Sequence, residues 1–139
     1  MDLVTIGAGC FWCVEAIFNQ VAGIKDIVSG YSGGRDSNPN YEIICSGGSG
    51  HAEVIQFKFD SDVITYEEIL KIFWSSHDPT TINQQGNDIG SQYRSIIFYH
   101  TETQKNIAEK IKKSLNESQI FKSPIITEIV KFEAFYKAE

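Results

Sequence analysis

The sequence predicts an α/β fold in which helices cover a sheet of mixed direction, and three observations carry that prediction. After Gly9, apolar residues recur at helical spacing (Phe11, Val14, Phe18, Val21), while from His51 to Asp60 they alternate, with Ile55, Phe57 and Phe59 on one side and Gln56 and Lys58 on the other. Helical and strand signals then take turns along the chain, in the order β-α-β-β-α-β-α-β.

Each element has its own signal. Leu3 to Ile6 is a short apolar run that reads as a buried strand. The first helix follows Gly9 and stops at Gly23. Ile24 to Gly34 is a strand fading into "YSGG", and "RDSNPN" turns the chain into Tyr41 to Cys45. "SGGSG" is a glycine-rich loop ahead of the His51–Asp60 strand. Thr65-Tyr66-Glu67-Glu68 matches a capping box, and Ile69, Leu70, Phe73 and Trp74 continue it as an amphipathic helix. Thr80 to Gln92 is polar and carries two glycines; a loop that long inside a compact domain is usually functional. Tyr93 to Tyr99 is a strand, Thr101-x-x-Gln104 caps a helix running to about Leu115, and Ile125 to Phe132 is the last strand.

Composition bounds the function. With 139 residues, 42% of them hydrophobic, the chain has enough apolar matter for one domain over residues 1–139 and does not read as disordered. No apolar run approaches the ~18 residues of a membrane helix. The start, Met1-Asp2-Leu3-Val4, lacks the basic and apolar stretches of a secretion signal. Three cysteines without such a signal point to a reducing, cytoplasmic setting. A net charge of -6 argues against non-specific nucleic-acid binding.

The chemistry concentrates in "GAGCFWC". Cys10 falls at the predicted start of the first helix, where unpaired N–H groups and the positive end of the dipole favour a thiolate, the form that attacks electrophiles. Against this stands the plain alternative of a small buried hydrophobe. Gly7-x-Gly9 is not a dinucleotide fingerprint, because Trp12 stands where the third glycine belongs. Cys13 lies three residues on, on nearly the same face, in a spacing that serves redox pairs. The other candidates for a zinc site, Cys45, His51, His77 and His100, show no ligand-pair spacing, so no metal is expected.

Glu53 shares the inward side of its strand with Ile55, Phe57 and Phe59. Either it is buried, and desolvation keeps it a proton donor near neutral pH, or it reaches water past the glycine loop. Residues 77–95, "HDPTTINQQGNDIGSQYRS", bring His77, Asp78, Asn87, Asp88, Tyr93 and Arg94 into one polar stretch that reads as a binding loop or a solvated turn.

Taken together, "GCFWCVEAIF", "GYSGG", "NPNYEIICSGGSGHAEVIQFKFD", "FWSSHDPTTINQQGNDIGSQYRSIIFYH" and "ITEI" resemble the peptide methionine-S-sulfoxide reductase A family (MsrA), nearly end to end and in the same order. The resemblance implies a two-layer sandwich of ferredoxin-like type. It also implies thiol-dependent reduction of free or peptide-bound methionine-S-sulfoxide without metal, flavin or nicotinamide. It makes Cys10 the nucleophile and sets Phe11 and Trp12 around the S-methyl group. Glu53 becomes the proton donor to the sulfoxide oxygen, which Tyr41 and Tyr93 also bind; Asp88 lines the site, and His51 is a further substrate-binding candidate. Cys10 would pass through a sulfenic acid that another thiol must reduce, with thioredoxin, glutaredoxin or a similar external reductant as the final source.

The chain departs from the family pattern in two places. Family members usually carry Gly where this chain has Cys13, and many have resolving cysteines in a C-terminal tail beyond "FYKAE". Cys13, Cys45 or an external thiol are therefore the three routes for recycling Cys10. Other functional classes remain at this stage: a general thiol–disulfide oxidoreductase built on Cys10-x-x-Cys13, a non-catalytic module that binds methionine or its sulfoxide, and a Cys–His acyl-transfer enzyme.

Overall fold

The computed structural model describes residues 2–34 and 50–138. Among them, six strands form one mixed sheet: β1 (Asp2–Ala8), β2 (Ile24–Ser32), β3 (Ala52–Phe59), β6 (Ser95–Tyr99), β7 (Glu128–Lys131) and β8 (Tyr136–Lys137). Their order is β7-β6-β1-β3-β2-β8, antiparallel throughout except for the parallel β6–β7 pair at one edge. Among the described residues three helices accompany it: α1 (Phe11–Phe18), α2 (Tyr66–Ser75) and α3 (Glu102–Ser118). No described helix is long and apolar enough to cross a membrane.

The period-2 patterns set which side of each strand meets the helices. Val4 lies opposite Phe57 and Ile6 opposite Ile55, and all four share one core with Phe11, Val14 and Phe18 of α1, Ile69, Leu70 and Phe73 of α2, and Ala108 and Ile111 of α3. Phe18 stacks on Phe57 at 5.3 Å between ring centroids, which seats α1 over β3. Fully burying a side chain of this kind contributes roughly 1.5–3 kcal/mol. The opposite face of the sheet carries Ala52, Val54, Ile96 and Phe98, covered by Phe132 and Phe135. Because both faces are covered, β3 is buried along most of its length and Glu53 is enclosed with it.

Four elements differ from the sequence expectation. The stretch 80–92 is organised: β4 (Gln84–Gln85) pairs with β5 (Asp88–Ile89) as a hairpin, followed by a 3-10 turn at Ser91–Tyr93. That turn takes Tyr93, so β6 begins two residues later than alternation suggested. The last strand is shorter at its start, because the N–H groups of Ile125 and Ile126 are committed to Asn116 Oδ1 and the Pro79 carbonyl. Strand β8 was not expected; it pairs with Gly30 and Tyr31, and a Cβ at Gly30 would come within about 2.4 Å of the Tyr136 carbonyl oxygen. The expected strand Tyr41 to Cys45 lies outside the described residues.

Candidate active site

β1 ends at Ala8, Gly9 turns the chain with φ +97°, and Cys10 is the N-cap residue of α1. The Cys10 side chain makes no capping hydrogen bond, and the first turn of α1 holds no acidic residue. One of its N–H groups is served from afar: Phe11 N–H donates to Glu53 Oε1 at 3.2 Å. The fold thus sets a carboxyl group from β3 at the start of the helix that Cys10 opens.

Of the two sequence readings of Glu53, the enclosed one is the structural outcome. Its residue is 3% exposed and lies opposite Tyr31 of β2. Burial pushes its pKa up to about 7, with the charge of Asp88 adding to that shift and the Phe11 N–H bond opposing it. At neutral pH a large share of Glu53 therefore carries its proton.

Cys10 and Cys13 are both free thiols, Cys10 partly buried and Cys13 exposed. A hydrogen bond to Cys10 and the charge of a Cys10 thiolate hold the Cys13 thiol above the ordinary cysteine range, with partial burial, Asp88 and Glu53 pushing the same way. The two cysteines stand three residues apart at the first turn of α1. As N-cap and N3, they occupy the two positions that exchange bonds in a capping box.

The aromatic residues sort by exposure. Phe11 is buried, with its ring 5.5 Å from Trp12 and 5.7 Å from Tyr31. Trp12 is 68% exposed and offers its indole to solvent beside Cys13. Tyr93 is partly buried in the 3-10 turn, which packs against β3. Asp88 is exposed on the hairpin, within electrostatic reach of Glu53 and Cys13. His51 is 1% exposed: its Nδ1 accepts the Gly34 N–H at 3.0 Å, and its ring meets Tyr136 edge-on at 5.5 Å. These contacts tie it to the turn after β2. Tyr41 and Cys45 lie outside the described residues.

The sequence placed His77 in the same polar stretch as Asp88 and Tyr93, but the structure gives it different work. Its Nδ1 bonds the Phe73 carbonyl and its Nε2 bonds Ser95 Oγ, each at 2.7 Å. Ser95 Oγ meets Thr127 Oγ1 at 2.7 Å, and Trp74 Nε1–H donates to Thr127 Oγ1 at 2.9 Å. With Nδ1 protonated, every partner in the chain Trp74–Thr127–Ser95–His77–Phe73 finds a donor or acceptor. Burial lowers the His77 pKa to about 4, which keeps the ring neutral. Tyr31 and Gln85 are also absent from the sequence reading. The "GYSGG" alternation that buries Tyr31 was the one local hint, and nothing near Gln85 marks it. Among the described residues no three His, Cys, Asp or Glu side chains gather as metal ligands.

This arrangement has known counterparts. The family model for "Peptide methionine sulfoxide reductase" matches residues 2–139. The chain is 57% identical to a peptide methionine sulfoxide reductase MsrA of Sulfolobus acidocaldarius, over all 139 residues and 78% of that protein. It is 52% identical to the protein of that name from Saccharolobus solfataricus, over the whole chain and 77% of the relative. Among solved structures, Mxr1 from Saccharomyces cerevisiae in reduced form superposes with a TM-score of 0.92 at 35% identity, covering 99% of this chain and 80% of that one. Methionine sulfoxide reductase A of Corynebacterium diphtheriae gives 0.86 at 30% identity, over 99% and 70% of the two chains. With a free cysteine and a buried glutamate meeting at one helix start, and matched along its length, the chain belongs to the MsrA family of peptide methionine sulfoxide reductases, enzymes that reduce methionine sulfoxide at the expense of thiols.

Proposed function

We propose that this chain reduces the S epimer of methionine sulfoxide, free or within polypeptides, through a Cys10 sulfenic acid with Glu53 as the proton donor. The single observation that carries this reading is the Glu53 carboxyl, enclosed and proton-bearing near pH 7, bonded to Phe11 N–H next to Cys10. A sulfoxide sulfur becomes electrophilic only when its oxygen is protonated or strongly hydrogen-bonded, so the reaction needs a thiolate beside a neutral acid. Glu53 hands its proton to the oxygen as the Cys10 thiolate attacks sulfur. The oxygen ends on Cys10 as Cys10–SOH and methionine leaves.

The other residues serve that step. Phe11 and the exposed face of Trp12 hold the S-methyl group, Tyr41 and Tyr93 bind the sulfoxide oxygen, and Asp88 lines the site and sustains the proton on Glu53. The contacts of His51 favour a supporting part for it, holding the turn at Gly34 after β2.

Cys13 is the resolving thiol in this reading, supported by its place three residues from Cys10 in the first turn of α1 and by its exposure. Cys10–SOH and Cys13–SH condense to a disulfide and water. A thioredoxin-like dithiol then reduces that disulfide, a partner suggested by the related structure of Mxr1 from Saccharomyces cerevisiae in complex with Trx2 (TM-score 0.72, 28% identity, 99% of this chain and 81% of that one). Free thiols at the site suit a reducing, cytoplasmic setting. Residues 1–139 act as one catalytic domain. The strand order β6-β1-β3-β2, with helices after β1 and β3, supports a ferredoxin-like two-layer sandwich.

The test supplies both sulfoxide epimers with dithiothreitol. The S epimer is consumed and the R epimer is not; an untouched S epimer, or a fully active Cys10→Ser variant, sinks the reading. Intact mass after one turnover without reductant shows a loss of two hydrogens. In Cys13→Ser that becomes a gain of one oxygen.

A further inference from the structure

We infer that Gln85 is a positioning residue for this site, its side-chain amide fastening the hairpin that carries Asp88 within electrostatic reach of Glu53. The inference rests on the reading of Glu53 as proton donor and assigns a part to a residue outside the reacting groups.

Three contacts of Gln85 point the same way. Its Oε1 accepts the Asp78 N–H at 3.0 Å while its Nε2 donates to the Asp78 carbonyl, so one amide clasps one residue of backbone from both sides. Asp78 is itself fixed, since its neighbour His77 closes the base of the loop by bonding Ser95. The stem of Gln85 lies on Gly9, where an added Cβ would come 2.9 Å from Gln85 Cγ and 3.0 Å from its Cβ. Finally, the backbone of Gln85 pairs with Asp88 across the β4–β5 hairpin. One side chain therefore links the loop base, the residue before Cys10 and the strand that bears Asp88.

The consequence is electrostatic. The titratable groups set around Glu53 are Asp88 on the hairpin, Cys10 and Cys13 at the helix start, Tyr31 on the paired strand, and Tyr93 on the 3-10 turn packed against β3. Asp88 is exposed, and its charge influences Glu53 only while the hairpin holds it close. If the clasp opens, water screens that charge, and Glu53 gives up its proton at lower pH. Glutamine suits the task because donor and acceptor share one planar end; methionine would keep the stem on Gly9 and lose the clasp.

The experiment follows the Glu53 carboxyl by ¹³C NMR titration in a Cys10→Ser background, with circular dichroism to check folding. Gln85→Met and Asp88→Asn should each move the Glu53 midpoint to lower pH, and the double variant should move it no further than Asp88→Asn alone. In the active enzyme, Gln85→Met should lower kcat/KM by about tenfold, within the range expected for a misplaced catalytic constellation. Gln85→Met preserves packing on Gly9 and so remains informative if Gln85→Ala does not fold. A Glu53 titration unchanged by Gln85→Met, or shifts that add in the double variant, would overturn the proposal. Failure of the Glu53 mechanism would appear elsewhere, as activity retained without Glu53.

Discussion

Helices α1 and α2 start with the same N-cap and N3 spacing and use it for different ends. At α2, Glu68 N–H donates to Thr65 Oγ1 at 3.1 Å and Thr65 N–H donates to Glu68 Oε1 at 3.2 Å, a full capping box. At α1 the same two positions are Cys10 and Cys13, the N-cap side chain caps nothing, and the carboxyl that serves the helix comes from Glu53, 42 residues from Phe11. A side-chain cap typically contributes ~1 kcal/mol. Where it is given up, the positive end of the dipole and the open N–H groups remain available to an anion at Cys10. Helix α2 is finished by its own sequence; α1 is finished by the fold, and its uncapped start is what the proposed chemistry uses.

The hardest way to break this comparison is to make α1 resemble α2. Cys10→Ser should abolish sulfoxide reduction, by roughly 10⁵-fold or more, as loss of a nucleophile does. Serine is also a good N-cap, so the same variant should gain about 0.5–1 kcal/mol in urea unfolding. A variant both inactive and less stable would contradict the trade of stability for chemistry at this position.

Glu53→Gln keeps a hydrogen-bond partner for Phe11 N–H and removes the proton donor. Turnover should fall on the order of 10²–10⁴-fold, the usual contribution of general acid catalysis. In the wild type, kcat/KM should decline as pH rises past about 7, where Glu53 loses its proton. That decline should be absent from what activity Glu53→Gln retains. A wild-type rate flat from pH 6 to 9 would remove Glu53 from the mechanism.

Stability against pH gives the third comparison, because two buried groups act with opposite sign. Glu53 has its pKa raised from 4.5 to about 7, so its contribution is fully present below 4.5 and is lost as pH rises through 7. His77 has its pKa lowered from 6.5 to about 4, so its contribution is present above 6.5 and is lost as pH falls through 4. Each amounts to roughly 3 kcal/mol, and in the wild type they largely offset one another. Glu53→Gln should expose the His77 effect, with stability that climbs between pH 4.5 and 6.5. Denaturant midpoints across this range read it directly; a Glu53→Gln midpoint that is flat with pH would contradict the buried network at His77.

The smallest effect belongs to α2. Thr65→Ala should cost about 1 kcal/mol in unfolding free energy and leave kcat/KM unchanged. Any large loss of activity there would mean that the two helix starts are less independent than their contacts indicate.

How far the sequence carried depends on how near each cause lies to its effect. The strand at β3, the helix at α2 with its box, and Cys10 at a helix start were all legible, because each signal spans only a few residues. Residues 80–92 read as a bare polar loop because their order comes from pairing and from Gln85 reaching Asp78, which no periodicity records. His77 read only as part of that polar stretch for the same reason: its neighbours in sequence are polar, while its partners Ser95, Thr127 and Trp74 are brought in from other parts of the fold.

By itself the sequence determined the alternation of strands and helices, the family, and the placing of Cys10 at a helix start. Those follow from local patterns and from motifs that run in order along the chain. Only the tertiary structure decided that Glu53 would be closed away from water and hold a proton near pH 7. That depends on which groups exclude water from a site and which charges face it, and these come from parts of the chain that meet only once it has folded.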